Sequence, residues 1–425
     1  MLDIKLIREK PEDVKENMRK RHKDEKIIDD IVKKDKDWRN LKVQIDNLRA
    51  ERNNVSKEIS ELKKTGRNAS SAMKKAKKIP EEIEILEKKA KELEEERNSS
   101  LLLIPNFLHS SVPIGKDASE NKEIKKWGKI KKFSFELLNH SELVENLGYA
   151  DFDAGRNNSG EGFNYLLGDI AMLDHALQRY GVDFITKKGF TLVVPPLMLN
   201  FETLLGALNG LKDFEDVVYK IEKENLYLIG TAEHALVSLF KNKTINKEKI
   251  PIKLCALTPC FRKEIGSHGV DTKGLFRMHQ FNKVEQVVYS IPEKSFEILE
   301  EIQKITEEFF QSLELPYRVI EICSGDLGAK FAKQYDIEVW FPRQGKYAEV
   351  TSAGNCTDYQ ARALNIRYLD KGEKRYLDIL NNTMVATSRA MVAILENYQQ
   401  KDGSILVPKA IIPYMNGKKK IEKGK

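Results

Sequence analysis

The sequence predicts an α+β protein in two parts: a long antiparallel α-helical coiled-coil arm at the N-terminus, then a larger domain in which helices and strands alternate. Three observations carry this. Apolar residues recur at alternating spacings of three and four in two stripes, Trp38 to Leu62 and Ala72 to Leu93, which is the seam of a coiled coil. A stretch rich in Pro, Gly and Ser, Ile104 to Gly115, then ends the helices. Beyond it, amphipathic helical stretches alternate with short runs of period two.

Composition sets the frame. A chain of 425 residues has room for two or more domains with sizeable cores. No run of about 20 apolar residues exists, so no transmembrane helix and no membrane partner are expected. Met1 to Lys10 lacks the apolar stretch of a signal peptide, so a cytoplasmic protein is expected. Cys255 and Cys260 have no second ligand pair, and Cys323 and Cys356 stand apart. Buried free thiols in a reducing compartment fit better than a zinc site.

The first stripe runs Trp38, Leu41, Ile45, Leu48, Val55, Ile59, Leu62, broken only at Arg52; the second runs Ala72, Ala76, Ile79, Ile83, Leu86, Ala90, Leu93, with Arg97 next in register. Thr65 to Asn68 supplies the turn. A first helix of about 29 residues would be roughly 43 Å long. So narrow a seam should project into solvent. Pro80 should kink the second helix or mark its start. Lys63, Lys64, Arg67, Lys74, Lys75, Lys77 and Lys78 gather around the turn with no acid among them, and equal the formal excess of +7 for the whole chain. Such a run suits a solvated face; its confinement to the tip favours a polyanion, most simply nucleic acid.

The linker puts a domain boundary near residue 110, giving domains 1–110 and 111–425, with His109 read as structural. Phe163 to Tyr180 has helical spacing, and Phe190 to Val194 reads as a strand stopped by Pro195-Pro196. In Gly230-Thr231-Ala232-Glu233-His234, a hydroxyl and a carboxylate could hold an ammonium group, or Thr231 could cap a helix. Phe261 to Glu285 reads as strand, loop, strand. Arg262 and Glu264 share one face, and Arg277, His279, Phe281, Lys283 and Glu285 share another, with Gly266, Gly269 and Gly274 between. That row suits a solvated hairpin face or an anionic, planar ligand. Ser295 to Leu313 is an amphipathic helix; Tyr317 to Cys323 and Asp336 to Trp340 are strands. Glu349 and Ser352 could share a hard cation on phosphate, or form a cap. Asn381-Asn382-Thr383 precedes a helix to Tyr398 with Arg389 in its first turns. The basic stretch from Lys418 reads as disordered.

The run Phe-Arg-x-Glu, Gly-Ser-His-Gly, Arg-x-His-Gln-Phe-x-Lys-x-Glu from Phe261 closely resembles motif 2 of the class II aminoacyl-tRNA synthetases, in the form found in seryl-tRNA synthetases. Lys188 to Pro196 resembles motif 1, which forms the dimer. Thr231-Ala232-Glu233 resembles the serine-binding loop, Glu349-Val350-Thr351-Ser352 the magnesium-binding stretch, and Asn381 to Arg389 motif 3. The resemblance runs from the arm to about Gln400. It implies a class II catalytic domain built on an antiparallel sheet flanked by helices. It implies ATP-dependent activation of L-serine and its transfer to serine tRNA, and family members also serylate selenocysteine tRNA where that tRNA exists. Arg262 and Arg389 would be catalytic. Arg262, Lys263, Glu264, Met278, Phe281, Glu349, Val350, Thr351, Ser352 and Arg389 would bind ATP, with Phe281 under adenine, Arg389 over it, and Mg2+ on Glu349 and Ser352. Thr231, Ala232, Glu233, Glu285, Asn381 and Thr383 would bind serine. The cations from Lys63 to Lys78 would grip the tRNA variable arm. A homodimer and no catalytic zinc are implied. Asn382 and Met384 stand where many members have glycine, and Val270, Lys273 and Asn282 also depart. A ligase loading a carrier protein and a non-catalytic RNA-binding relative are the other classes; the complete arm speaks against the first, and Arg262, Glu285, Glu349 and Arg389 against the second.

Overall fold

The computed structural model describes residues 1–208, 217–264 and 274–424. The chain forms two compact units, Leu2–Ile104 and Pro105 onward with Met1. The break falls six residues before the expected boundary. Asn106 explains the difference: its side chain donates to the carbonyls of Lys330 and Cys356, which ties residues 105–110 into the second unit.

In the first unit, α1 (Lys26–Lys64) and α2 (Ser70–Leu101) form the hairpin. Ile45, Val55, Ala72, Ile79, Ile83 and Ala90 are buried along the expected seam, with Trp38, Leu41, Leu48 and Leu62 packed beside them. α1 is 39 residues long, or about 58 Å at 1.5 Å per residue. It starts before the stripe because Ile28 and Ile31, three apart, are also buried. Pro80 lies inside α2, ten residues past its first residue, so it does not mark the start. Near the other end, Asp35 is buried and paired with Arg8 at 2.8 Å, Arg39 at 3.1 Å and Arg97 at 3.2 Å. Arg97 also lies 4.7 Å over the Trp38 ring. Burial alone would raise the Asp35 carboxyl, but the arginines hold it below its ordinary range.

The second unit is built on one eight-stranded sheet. Its strands are β1 (Lys122–Trp127), β2 (Thr191–Leu192), β3 (Ile252–Phe261), β4 (Gln280–Ser290), β5 (Tyr317–Glu321), β6 (Lys333–Phe341), β7 (Lys346–Asn355) and β8 (Asp378–Ala386), in the spatial order β1-β5-β6-β7-β8-β4-β3-β2. All neighbours are antiparallel except β2 beside β3. Helices α3 (Gly168–Lys187), α5 (Ser295–Ser312) and α6 (Thr387–Tyr398), together with the short α4 (Ala232–Leu236), flank it. One core joins Leu173 and Leu177 of α3, Leu299 and Ile302 of α5 and Ile394 of α6 to Val284, Val288, Ile337 and Val339 of the strands. α3 begins five residues later than expected, because Tyr165 and Leu166 pair as a short strand with Ala150 and Asp151.

The basic C-terminal stretch is ordered, contrary to expectation. Ile421 is buried and pairs with Ile405, and Lys418 bridges to Asp169 at 2.6 Å. One apolar residue within the lysines is enough to anchor it. All four cysteines are buried free thiols. No helix among the described residues is long and apolar enough to cross a membrane.

Removing Asp35 would leave buried Arg97 with only its longer contact to half-exposed Glu94, at 3.6 Å. Asp35→Ala should therefore cost about 3 kcal/mol, the cost of breaking a buried ion pair. Urea unfolding followed by helical circular dichroism reads this; an unchanged first transition would contradict the role given to the cluster.

Candidate active site

The site is set by strand register. Antiparallel pairing puts Glu285 of β4 opposite Thr383 of β8 and Ala256 of β3, and Lys283 opposite Thr258. Glu285 is 1% exposed. Its Oε2 accepts from Lys283 Nζ at 2.6 Å, from Thr231 Oγ1 at 3.2 Å and from Thr383 Oγ1 at 3.4 Å. All three donors converge on that one oxygen. Burial pushes the Glu285 carboxyl up, Lys283 opposes this in part, and the nearby Glu233 adds to the rise.

Thr231 caps its helix, one of the two functions its loop suggested. Its Oγ1 caps α4 by accepting from the Glu233 backbone N–H at 3.2 Å, while its hydroxyl proton goes to Glu285. Glu233 is also buried. Its Oε1 accepts from Lys330 Nζ at 2.5 Å and from Gln360 Nε2 at 2.8 Å. Burial, the largest influence, would raise this carboxyl, but the Lys330 charge, His234 and the hydrogen bonds from Lys330 and Gln360 together hold it below its ordinary range. Beside it, burial pushes the His234 imidazole down to about 3, against the pull of Glu233. Thr231, Glu233, His234, Glu285, Asn381 and Thr383 all line one cavity of about 370 Å³.

A second cleft shares Arg262, Lys283, Glu349 and Thr383 with that cavity and adds Glu264, Met278, Phe281, Val350, Thr351 and Arg389. The Arg262 guanidinium donates to the Gly230 carbonyl at 3.1 Å and sits 5.4 Å from the centre of the Phe281 ring. Arg389 pairs with Glu349 at 3.0 Å and lies 5.3 Å over Phe276. Glu349 and Ser352 are three apart on β7, a spacing that puts side chains on opposite faces of a regular strand. The register jumps there: Thr351 pairs with Ile337 but Glu349 with Glu338, so Val350 is an extra residue. That bulge turns both groups toward the cavity they line. Gln334 donates to Ser352 Oγ and to Asp336 Oδ1, each at 3.0 Å. Burial and the charge of Glu349 push the Asp336 carboxyl up to about 8. Among the described residues no three His, Cys, Asp or Glu side chains form a ready metal cage.

Residues 1–108 match the family model for the seryl-tRNA synthetase N-terminal domain, and residues 218–398 that for the tRNA synthetase class II core domain (G, H, P, S and T). A serine–tRNA ligase of Methanocella arvoryzae is 47% identical over 422 residues, 98% of this chain and 99% of that one. The chain belongs to the seryl-tRNA synthetase family. The crystal structure of the Pyrococcus horikoshii seryl-tRNA synthetase complexed with ATP superposes with a TM-score of 0.93 at 45% identity, covering 100% of both chains. A cytoplasmic serine–tRNA ligase from Naegleria fowleri in complex with AMP does so with a TM-score of 0.88 at 33% identity, covering 100% of this chain and 99% of that one.

Against the pattern expected of a seryl-tRNA synthetase, most predicted residues come together and a few do not. Ala232 is fully buried in α4, and Lys263 uses its backbone N–H on Val217; neither is among the residues lining the two cavities. The row on β4 is shorter than predicted. The strand starts at Gln280, so Arg277 and His279 fall before it. His279 instead stacks on Phe163 at 5.1 Å and bonds Tyr219 Oη at 2.7 Å, while Arg277 turns to Glu264. Arg389 lies over Phe276 and lines the same cleft as Phe281. Gly266, Gly269, Val270 and Lys273 lie outside the described residues. The lining residues given no role in the sequence reading include His234, Lys330 and Asp336's partner Gln334. Gln360, which donates to Glu233, carries no charge to mark it in the sequence.

The depressed His234 pKa has a readable consequence. Its imidazole should stay neutral from pH 8 down to 5, since it protonates only near 3. The unfolded chain binds that proton near 6.5, so this group favours the folded state less as pH falls below 6.5. Carbon-labelled histidine NMR should show one resonance that does not shift over that range; titration of His234 near 6.5 would contradict the buried assignment.

Proposed function

We propose that the chain activates L-serine with ATP and transfers the seryl group to the 3′ end of serine tRNA. One observation carries this reading. Two buried carboxylates, Glu233 and Glu285, each have one oxygen engaged by protein donors, and no described residue engages Glu233 Oε2 or Glu285 Oε1, which face the place of a small polar ligand beside an arginine-lined cleft. An amino acid with an ammonium group and a short hydroxyl fits that pair. Glu233 and Thr231 take the ammonium group. Glu285 and Thr383 take the hydroxyl, with Asn381 alongside.

The serine carboxylate attacks the α-phosphorus of ATP in line. The bond to the β-phosphate bridge breaks, pyrophosphate leaves, and seryl-adenylate remains. The 3′-hydroxyl of the tRNA then attacks the seryl carbonyl, its proton is lost, and AMP departs. Arg262 neutralises charge at the α-phosphate and Arg389 that nearer the γ-phosphate. Phe281 stacks on adenine, with Met278, Glu264, Val350 and Thr351 around it. The work is positioning and charge neutralisation rather than covalent catalysis. The hard oxygens of Glu349 and Ser352 fit Mg2+, and Glu349 is free to take it once Arg389 turns to phosphate. The ion, when bound, neutralises phosphate charge.

The seven cations at the hairpin turn are all exposed, and among the described residues Lys75 alone of them forms an ion pair, with Glu51. They meet the phosphates of the tRNA variable arm. The chain is a homodimer in the cytoplasm: Met172 on α3, Leu192 on β2 and Val194, 94% exposed, are apolar residues left for a partner copy.

Pyrophosphate exchange tests the amino-acid pocket. Serine should exceed alanine by up to about 10⁴-fold, because alanine leaves the groups built for the hydroxyl unpaired. Threonine, which adds only a methyl, should be the less well rejected competitor. Comparable turnover of alanine and serine would overturn the assignment of Glu285 and Thr383.

The hairpin has its own test. Changing Lys74, Lys75, Lys77 and Lys78 to glutamine should weaken tRNA binding and flatten the log–log salt slope by up to about 0.7–0.9 for each phosphate no longer neutralised. Lys75, already paired with Glu51, should contribute least. Unchanged affinity and slope would make these lysines a solvated face.

A further inference from the structure

We propose that Lys330 is a positioning residue for amino-acid binding: with Gln360 it holds Oε1 of Glu233, so that Oε2 of the same carboxylate meets the substrate ammonium group. This rests on the reading above that Glu233 binds the amino acid. Neither Lys330 nor Gln360 needs to touch substrate to act this way.

The geometry is that of a clamp. Lys330 is 4% exposed and reaches Glu233 across 97 residues of sequence. Gln360 is fully buried, and its Nε2 divides between Glu233 Oε1 and the Ala207 carbonyl, the latter at 2.9 Å. Both donors therefore bind one oxygen, which fixes the carboxylate plane. The lysine is itself anchored on both sides. Asn106 donates to the carbonyls of Ala329 and Lys330 at 2.7 and 3.0 Å, and the Ala332 N–H donates to Asn355 at 2.8 Å. Between them the Phe331 ring lies against Gly354, so closely that a Cβ there would come within 2.2 Å of it. Glu233 is held at its backbone by the Thr231 cap.

Charge makes the clamp necessary. A buried carboxylate without a counter-ion takes up a proton and can no longer hold an ammonium group. His234 and Glu285 also face Glu233, Cys356 lies near it, and Arg262 and Lys283 stand beyond His234. His234 is neutral and Glu285 is of like sign. Lys283 is committed to Glu285. Among the described residues, Lys330 is the cation in direct contact with Glu233.

The test is pyrophosphate exchange on the full chain with Lys330→Met, Glu233→Gln and the double variant. For Lys330→Met the serine KM should rise about tenfold or more at pH 7, the effect of losing a charged hydrogen bond, while kcat and the ATP KM stay within about twofold. The loss should deepen toward pH 6 and shrink toward pH 8, because Glu233 without its lysine protonates as pH falls; the unaltered protein should show no such slope. The double variant should match Glu233→Gln alone in serine KM. If Glu233→Gln raises the serine KM and Lys330→Met does not, the role of Lys330 is wrong and that of Glu233 stands. If Glu233→Gln has no effect, both are wrong. A pH-independent loss that strikes serine and ATP equally would make Lys330 merely structural. Should Lys330→Met fail to fold, the double variant decides, since it buries no unpaired charge: equality with Glu233→Gln upholds the clamp, and a further tenfold rise overturns it.

Discussion

Glu285 lies on an interior strand of the sheet, almost wholly out of water, and an isolated carboxylate there would be too costly to keep ionised. Much of the surrounding arrangement answers that constraint. Lys283, two residues away on the same strand face, supplies the charge. Thr231 from the α4 loop and Thr383 from β8 supply hydroxyls. Meeting them requires β4 and β8 to pair in one register and the α4 loop to close over both. The same loop then brings Glu233 into the cavity, where Lys330 and Gln360 repeat the solution with different elements. The pocket thus has two buried carboxylates, each held by a lysine through one oxygen, with the other oxygen engaged by no described residue.

The sheet also shows how irregularity serves a site. In β7 the extra residue Val350 puts Glu349 and Ser352 on one side, and in β8 the extra residue Met384 shifts pairing from Thr383–Glu285 to Val385–Val284. Bulges re-aim side chains that strict alternation would send elsewhere. Met384 and Asn382, where many family members have glycine, are both fully buried. Asn382 donates to the Ile302 carbonyl and to Thr306, so it packs toward α5.

Much of this was legible in the sequence. The hairpin seam, the polar turn and the tip lysines follow from spacing and charge alone. The grouping of Arg262, Phe281, Glu285, Glu349 and Arg389 came from motifs whose wording resembles one family. What was missed has a common cause: interactions between residues far apart in sequence. Asp35 in α1 carries no sign that Arg8 and Arg97 will converge on it. Lys330 looks like any other lysine until the fold brings it to Glu233. Bulges leave no mark in period-two patterns, so spacing alone left Glu349 and Ser352 open between a cation site and a cap. The C-terminal stretch was misread because its lysines outweighed the single Ile421 that anchors it.

The central claim is that substrate meets the two carboxylate oxygens that no described residue engages. A crystal structure with a non-hydrolysable sulfamoyl analogue of seryl-adenylate tests it most directly. The account predicts the ammonium group about 3 Å from Glu233 Oε2 and the hydroxyl about 3 Å from Glu285 Oε1, with Lys330 and Lys283 still on the opposite oxygens. An ammonium group that displaces Lys330 from Oε1, or that lies away from Glu233 altogether, would contradict it.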